Sequence, residues 1–279
     1  MNISKERLKR LLRAWSYRFG DQFLGAMTRL GTIASLMAAL GLTMANVPYA
    51  SLLFVAIFAY ICWLAYRSLP TFHVHPSEIA NTRIELEELD TLLMPVKCIG
   101  LLGPTLVGKT TFLNSATARK REFPQRQTEK PYAVVVQLPD TKPPQYIGLI
   151  DSVGQQDYSQ YTILERTDLV CLFIDHNAKP DQTGLQRRRL QEHRRLLRQL
   201  IRTKADAETA ASKVVLVANK YDLWGQDEHA SRSMQSFFSE CQRAIENSNV
   251  FSLVGQMPEF TATSGDDPAQ LLEVIKHAP

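Results

Sequence analysis

The chain has 279 residues, a net charge of +4, 45% hydrophobic residues and four cysteines. At about 100–200 residues per domain, that length allows one or two domains. Cys62, Cys98, Cys171 and Cys241 are scattered, with no CxxC or Cys/His ligand spacing. This argues against structural zinc and a disulfide framework, and fits buried free thiols in a reducing compartment.

Residues 1–28 are basic, with Lys5, Arg7, Lys9, Arg10, Arg13 and Arg18 set against Glu6 and Asp21. Leu8, Leu11, Leu12, Trp15, Phe19 and Phe23 recur among them at helical spacing, which predicts an amphipathic helix over Ser4–Phe23. Such a helix lies among lipid headgroups or packs on another domain or chain. From Leu30 to Tyr66 there is no Asp, Glu, Lys or Arg. A bilayer core of about 30 Å needs about 20 helical residues, so this run is nearly twice too long for one straight pass. Asn46-Val47-Pro48 offers a break, because proline starts helices and pushes the preceding residue out of the helical region. The expectation is a transmembrane hairpin over 29–67, with passes at Leu30–Ala45 and Val47–Tyr66 in the lipid bilayer. Tyr60, Trp63 and Tyr66 suit an interfacial aromatic belt, and the basic N-terminus points to the cytoplasm. Two passes return the chain to that side, so both termini and the following domain are expected to be cytoplasmic.

Residues 68–93 are polar, carry Pro70 and Pro76, and read as a linker ending in a short helix at Glu85–Asp90. The remaining stretch, 94–279, alternates strand-like and helical runs. Strands are expected at Val96–Leu102, Ala133–Leu138, Tyr146–Ile150, Leu169–Ile174, Val214–Ala218 and Phe260–Ala262. This predicts an α/β domain with a mostly parallel sheet and helices on both faces.

Three short motifs lie at the ends of those apolar runs. Gly103-Pro-Thr105-Leu106-Val107-Gly108-Lys109-Thr110-Thr111 follows the first expected strand and opens the helical stretch Thr111–Arg119. A GxxxxGK[ST] loop in that setting curls its amides around phosphates at a helix N-terminus. Lys109 then reaches the β- and γ-phosphates, and the Thr110 hydroxyl ligates Mg²⁺. Asp151-Ser-Val-Gly154-Gln155 follows the strand at Tyr146–Ile150; its carboxylate suits Mg²⁺, and the Gly154 N–H suits the γ-phosphate. Asn219-Lys220-Tyr-Asp222 ends the strand at Val214–Ala218. The Asp222 carboxylate accepts from the two adjacent donors of guanine, a pair that adenine lacks. Asn219 and Lys220 are expected to brace the base and the glycine-rich loop.

In this order the motifs resemble those of the Ras-like P-loop GTPase superfamily, and the resemblance covers Val96 to the C-terminus. It implies a P-loop GTPase fold, guanine nucleotide (GTP or GDP) as ligand, Mg²⁺ as cofactor and GTP hydrolysis as activity. It also implies a base loop at Thr261-Ala262-Thr263-Ser264-Gly265, looser because the usual leading serine is Thr261. A switch threonine that closes on the metal falls on Thr128. Gln155 takes the place of the catalytic glutamine that orients water, and Lys109 that of the catalytic lysine. Thr105 departs from the glycine of Ras proteins, which implies slow turnover.

The segment Leu185–Lys204 reads as a helix carrying Arg187, Arg188, Arg189, Arg194, Arg195, Arg198, Arg202 and Lys204 against Glu192. Its expected roles are a solvated face or a dock for anionic lipid, RNA or an acidic protein; lipid is the leading partner, and a nucleic-acid or ribosome contact, which would make the chain a binding module, is not the expected one. Two functional readings follow. One is a membrane-anchored switch that hydrolyses GTP and acts on a protein effector. The other is a slow or non-hydrolysing, nucleotide-bound structural subunit of a membrane complex.

Overall fold

The computed structural model describes residues 15–16, 19–20, 23–25, 28, 58–67, 74–90, 92, 96–117, 131–151, 163–164, 166–179, 182–206, 212–263 and 266–278. The chain divides into two compact units, residues 1–73 with 90–95, and residues 74–89 with 96–279.

In the first unit, residues 58–67 are helical. Phe58, Tyr60, Trp63 and Tyr66 are exposed, Tyr60 stacks on Trp63 with centroids 5.8 Å apart, and the Arg67 guanidinium lies over the Trp63 ring. Trp15 Nε1 donates to the Ala65 carbonyl at 3.3 Å. Cys62 is exposed, unlike the buried thiol expected, whereas Cys98, Cys171 and Cys241 are buried. Among the described residues no helix is long and apolar enough to cross a membrane. Residues 29–57, most of the expected hairpin, and most of the expected amphipathic helix lie outside the described residues.

The second unit contains a seven-stranded sheet in the order β1-β3-β4-β2-β5-β6-β7. Its elements are β1 (Arg83–Ile84), α1 (Leu86–Asp90), β2 (Lys97–Leu102), α2 (Lys109–Ala116), β3 (Tyr132–Gln137), β4 (Tyr146–Asp151), β5 (Leu169–Ile174), α3 (Arg187–Asp206), β6 (Ser212–Ala218), α4 (Tyr221–Trp224), α5 (Glu228–Glu246), β7 (Phe251–Met257) and α6 (Asp267–His277). The pairs β2–β4, β2–β5, β5–β6 and β6–β7 are parallel, and β1–β3 and β3–β4 are antiparallel. The fold is therefore α/β with a mostly parallel sheet. Residues 74–89, read from sequence as connector, belong to this unit, and β1 pairs Arg83 with Val134.

Strand composition accounts for the arrangement. β5 reads Leu-Val-Cys-Leu-Phe-Ile and every residue is buried, as a central parallel strand covered on both faces requires. Alternate residues Leu169, Cys171 and Phe173 join the main core cluster with Val215 and Val217, Phe112 of α2, and Leu271 and Ile275 of α6. The intervening Val170, Leu172 and Ile174 are buried as well, so the opposite sheet face is also covered. Phe112, Phe173 and Phe260 form an aromatic cluster with centroids 5.8–6.1 Å apart. Full burial of each such ring contributes about 1.5–3 kcal/mol. Helix α5 starts at Asp227, whose carboxylate accepts from His229 and Ala230 N–H, and buries Met234, Phe237, Phe238, Cys241 and Ile245.

Two expectations need correcting. The last strand is Phe251–Met257, not Phe260–Ala262. As an edge strand paired only with β6, it carries exposed Ser252 and Gln256 and half-buried Gly255, which interrupt its apolar run. The Phe260 signal belongs instead to a fully buried loop residue whose N–H donates to Ala218 O at 3.0 Å and whose carbonyl accepts from Tyr221 N. The second correction concerns the basic helix: Arg189 and Lys204 point inward and are buried.

Candidate functional site

The sheet delivers the motif residues to one end, the carboxyl ends of β2, β4, β5 and β6. Ligand sites of open parallel sheets lie there because strand order changes side and leaves a crevice. β2 ends at Leu102 and the chain bends through residues 103–108 into α2. Gly103, Leu106 and Gly108 have φ of +149°, +66° and +99°. At Gly108 an added Cβ would stand 2.1 Å from Asn219 Nδ2, so only glycine allows that approach.

Asn219 is the reason for the closeness. It follows β6, is buried, and its Nδ2 donates to the Val107 carbonyl at 2.7 Å. Its Oδ1 accepts from Ala262 N–H at 3.0 Å, and its own carbonyl accepts from Trp224 Nε1 at 2.9 Å. Ser115 Oγ on α2 donates to Ala262 O at 2.7 Å. Nearby, Thr261 Oγ1 donates to Asp222 Oδ1 at 3.3 Å, and Asp222 remains exposed as an acceptor. Lys220 has φ +64° and turns its ammonium to Asp175 Oδ2 at 2.6 Å and Asn177 O at 2.9 Å.

On the loop side, Lys109 is buried and its ammonium donates to the carbonyls of Gly103 (2.8 Å) and Pro104 (3.1 Å). Burial pulls its pKa down to about 8, with Asp151 opposing the shift and Arg189 adding to it. Thr110 Oγ1 donates to Asp151 Oδ2 at 2.7 Å, and the Tyr132 hydroxyl reaches the same oxygen at 3.3 Å. Burial, helped by Asp151, pushes the Tyr132 phenol up, so it stays a donor. Asp151 is wholly buried at the end of β4, opposite Leu101.

Hydroxyl and carboxylate oxygens, such as those of Thr110 and Asp151, are of the ligand type that hard divalent cations take. Thr105 Oγ1 is buried with no hydrogen-bond partner among the described residues, and the Lys109 ammonium rests on neutral carbonyls alone. Both features fit an anionic ligand that also accepts hydrogen bonds.

The structure thus brings together Gly103–Thr111, Asp151, Asn219, Lys220, Asp222, Thr261 and Ala262. Thr128, Gly154 and Gln155 lie outside the described residues. Sequence reading missed Asp175, Arg189, His193 and Tyr132. Asp175 carried a usable signal: it follows the all-apolar β5 as Asn219 follows β6, and Ile174 pairs with Ala218.

The chain matches no protein-family model and no curated protein. Among solved structures it is similar to two crystal structures of SsGBP point variants, at 14% and 15% identity, each with a TM-score of 0.44. Each alignment covers 65% of this chain, and 56% and 55% of the respective SsGBP chains, little more than half their length. Fold and site together define an α/β protein with polar and charged residues gathered at the carboxyl ends of a mostly parallel sheet.

Proposed function

We propose that the chain is a membrane-anchored GTP-binding protein that hydrolyses GTP to GDP and acts as a molecular switch on the cytoplasmic face. The observation that carries this reading is the Asn219 bridge. One buried amide joins the glycine-rich loop at Val107 to the Ala262 N–H, beside the exposed Asp222 carboxylate. In this reading the bridge keeps the loop that takes the phosphates close to the segment that takes the base.

In this reading the amides of Thr105, Leu106, Val107 and Gly108 line the phosphates, and Lys109 moves from its two carbonyls to a phosphate oxygen. Thr110 and Asp151 hold Mg²⁺, with Thr128 closing the set. Bound Mg²⁺ neutralises charge on the phosphate oxygens. Asp222 accepts from guanine, Thr261 orients Asp222, and Gln155 orients the attacking water opposite the scissile bond. Gly154 donates its N–H to the γ-phosphate.

The basic face of α3 supports a lipid contact. Arg187, Arg188, Arg195, Arg198 and Arg202 are exposed. At 3.6 residues per turn they fall within roughly 100° of arc. Arg194 is held by Glu240 at 2.6 Å and adds nothing to that stripe. Guanidinium groups so placed suit phosphate headgroups through paired hydrogen bonds.

Thr105 favours a second reading, a nucleotide-bound structural subunit with little turnover. Its side chain stands in the loop at a position where Ras-like members carry glycine. A single-turnover assay with GTP and Mg²⁺ separates the two. Release of phosphate at a measurable first-order rate, lost in Lys109→Ala, supports the switch. Tight GTP binding with no phosphate release supports the structural subunit.

A further inference from the structure

Asp175, the residue after β5, gathers cations from two other elements. It is fully buried, and Arg189 of α3 meets it twice, Nε to Oδ1 at 2.5 Å and Nη2 to Oδ2 at 3.3 Å. Lys220 reaches Oδ2 at 2.6 Å, and His193 Nε2 lies 2.9 Å from Oδ1. Burial pushes this carboxyl up, but His193, Arg189 and Lys220 outweigh it and hold it well below the usual carboxylate range.

Arg189 is 3% exposed, and its remaining contacts are also assigned. Nη1 donates to Glu192 Oε2 at 3.1 Å, and Nη2 donates to the Thr105 carbonyl at 2.9 Å. That last bond joins α3 to the middle of the 103–108 loop. We propose that Arg189 is a positioning residue for the phosphate ligand of this loop, holding the Thr105 carbonyl from α3 and so fixing the loop's curvature. The ligand in this statement rests on the nucleotide reading; the clamp itself does not.

Four further observations point the same way. Leu106, directly after Thr105, holds φ +66°, a conformation that costs a non-glycine residue roughly 1 kcal/mol and has to be held from outside. The other side-chain hold on this half of the loop is Lys109, on Gly103 and Pro104. When a phosphate draws the Lys109 ammonium away, the Arg189 contact remains, because it comes from α3 and not from within the loop. The guanidinium fork serves Asp175, Glu192 and Thr105 at once, which a lysine ammonium cannot reproduce. Because Lys220 shares Asp175 with Arg189, the base-side segment and the phosphate loop are tied to one carboxylate.

The test uses the full-length protein in detergent, comparing wild type with Arg189→Met and Arg189→Lys, and with the exposed Arg243→Met on α5 as control. Amide hydrogen exchange over residues 103–108 is read without ligand, and release of fluorescent GDP is read by displacement. The expected result is faster exchange in the loop, with β5 and β6 unchanged, and GDP release faster by about tenfold, the scale of one charge-assisted hydrogen bond. Arg189→Lys should recover folding but only part of either loss, and Arg243→Met should match wild type. If Arg189→Met does not fold, Arg189→Lys carries both readouts. Loop exchange and GDP release equal to wild type in either folded variant overturn the clamp. A wild-type protein that binds no GDP overturns the phosphate assignment separately, while the exchange arm still decides whether Arg189 holds the loop.

Discussion

Asn219 and Val107, 112 residues apart, are joined by one hydrogen bond of 2.7 Å from the Asn219 amide to the Val107 carbonyl. The same side chain accepts from Ala262 N–H at 3.0 Å, so the end of β6, the 103–108 loop and the segment beyond β7 meet on one buried amide. Asn219→Ala leaves the Val107 carbonyl and the Ala262 N–H buried without it. At about 1–2 kcal/mol for each stranded group, the variant should lose roughly 2–4 kcal/mol in urea denaturation. Its nucleotide affinity should fall at least about tenfold, matching a further 1.4 kcal/mol. A variant as stable as wild type would show that the bridge does not hold the site.

The Lys109 ammonium gives a pH signature. Its pKa falls from 10.5 to about 8 on folding because burial disfavours the charge. Below about 8 both states carry the proton, and the penalty for burying the ammonium is fully present. Between about 8 and 10.5 the unfolded chain holds more protons, so this group's contribution to stability rises with pH. Ligand-free wild type should therefore gain on the order of 1 kcal/mol between about pH 7 and pH 9 relative to Lys109→Met. Parallel denaturation curves for the two proteins across that range would contradict the buried-ammonium account. Lys109→Met should also bind GTP at least about a hundredfold more weakly, as befits a lost charged phosphate contact of about 3 kcal/mol.

Gln155→Leu should leave GTP binding intact and slow single-turnover hydrolysis at least about tenfold, roughly 1.4 kcal/mol in barrier. A rate equal to wild type would remove Gln155 from the role of water-positioning residue.

Membrane attachment is expected to depend on residues 29–67, and the α3 arginines to tune contact with the surface. The full-length protein should stay in the pellet through high-salt and carbonate washes and leave with detergent. Each exposed arginine contributes only about 1 kcal/mol at an anionic surface, and salt screens it. Reversing Arg195, Arg198 and Arg202 to Glu should abolish residual binding of detergent-extracted protein to phosphatidylserine vesicles without releasing the anchored protein from its membrane. Extraction of the full chain by salt alone would overturn the hairpin.

Much of the fold was legible because central parallel strands are apolar throughout. The runs at Leu169–Ile174 and Val214–Ala218 have no competing helical pattern, and each is followed by a buried polar residue, Asp175 or Asn219, that ties neighbouring segments together. Gly103, Gly108 and Lys109 were legible because a loop of that shape leaves few choices of residue. β7 was not legible, since an edge strand tolerates the Ser, Gly and Gln that hide it, while buried Phe260 mimics a strand signal. Arg189 was indistinguishable from Arg187 and Arg188 in sequence. Only the helical phase of α3 against β5 sends one of the three toward Asp175 and leaves the others in solvent.

Guanine selectivity separates this nucleotide site from one that takes any triphosphate, and competition binding on the full-length protein measures it. Fluorescent GDP bound to the wild type is displaced with GTP, GDP, ATP and XDP, and the series is repeated on Asp222→Asn. In the proposed reading the exposed Asp222 carboxylate, held by Thr261, accepts from both guanine donors; an amide at that position replaces one acceptor by a donor. GTP and GDP should displace the probe at concentrations at least about a hundredfold below ATP, a gap of roughly 2.8 kcal/mol. In Asp222→Asn the preference should move from GDP to XDP. Equal displacement of the wild-type probe by ATP and GTP, or an Asp222→Asn protein that keeps its preference for GDP, would contradict guanine selection by Asp222.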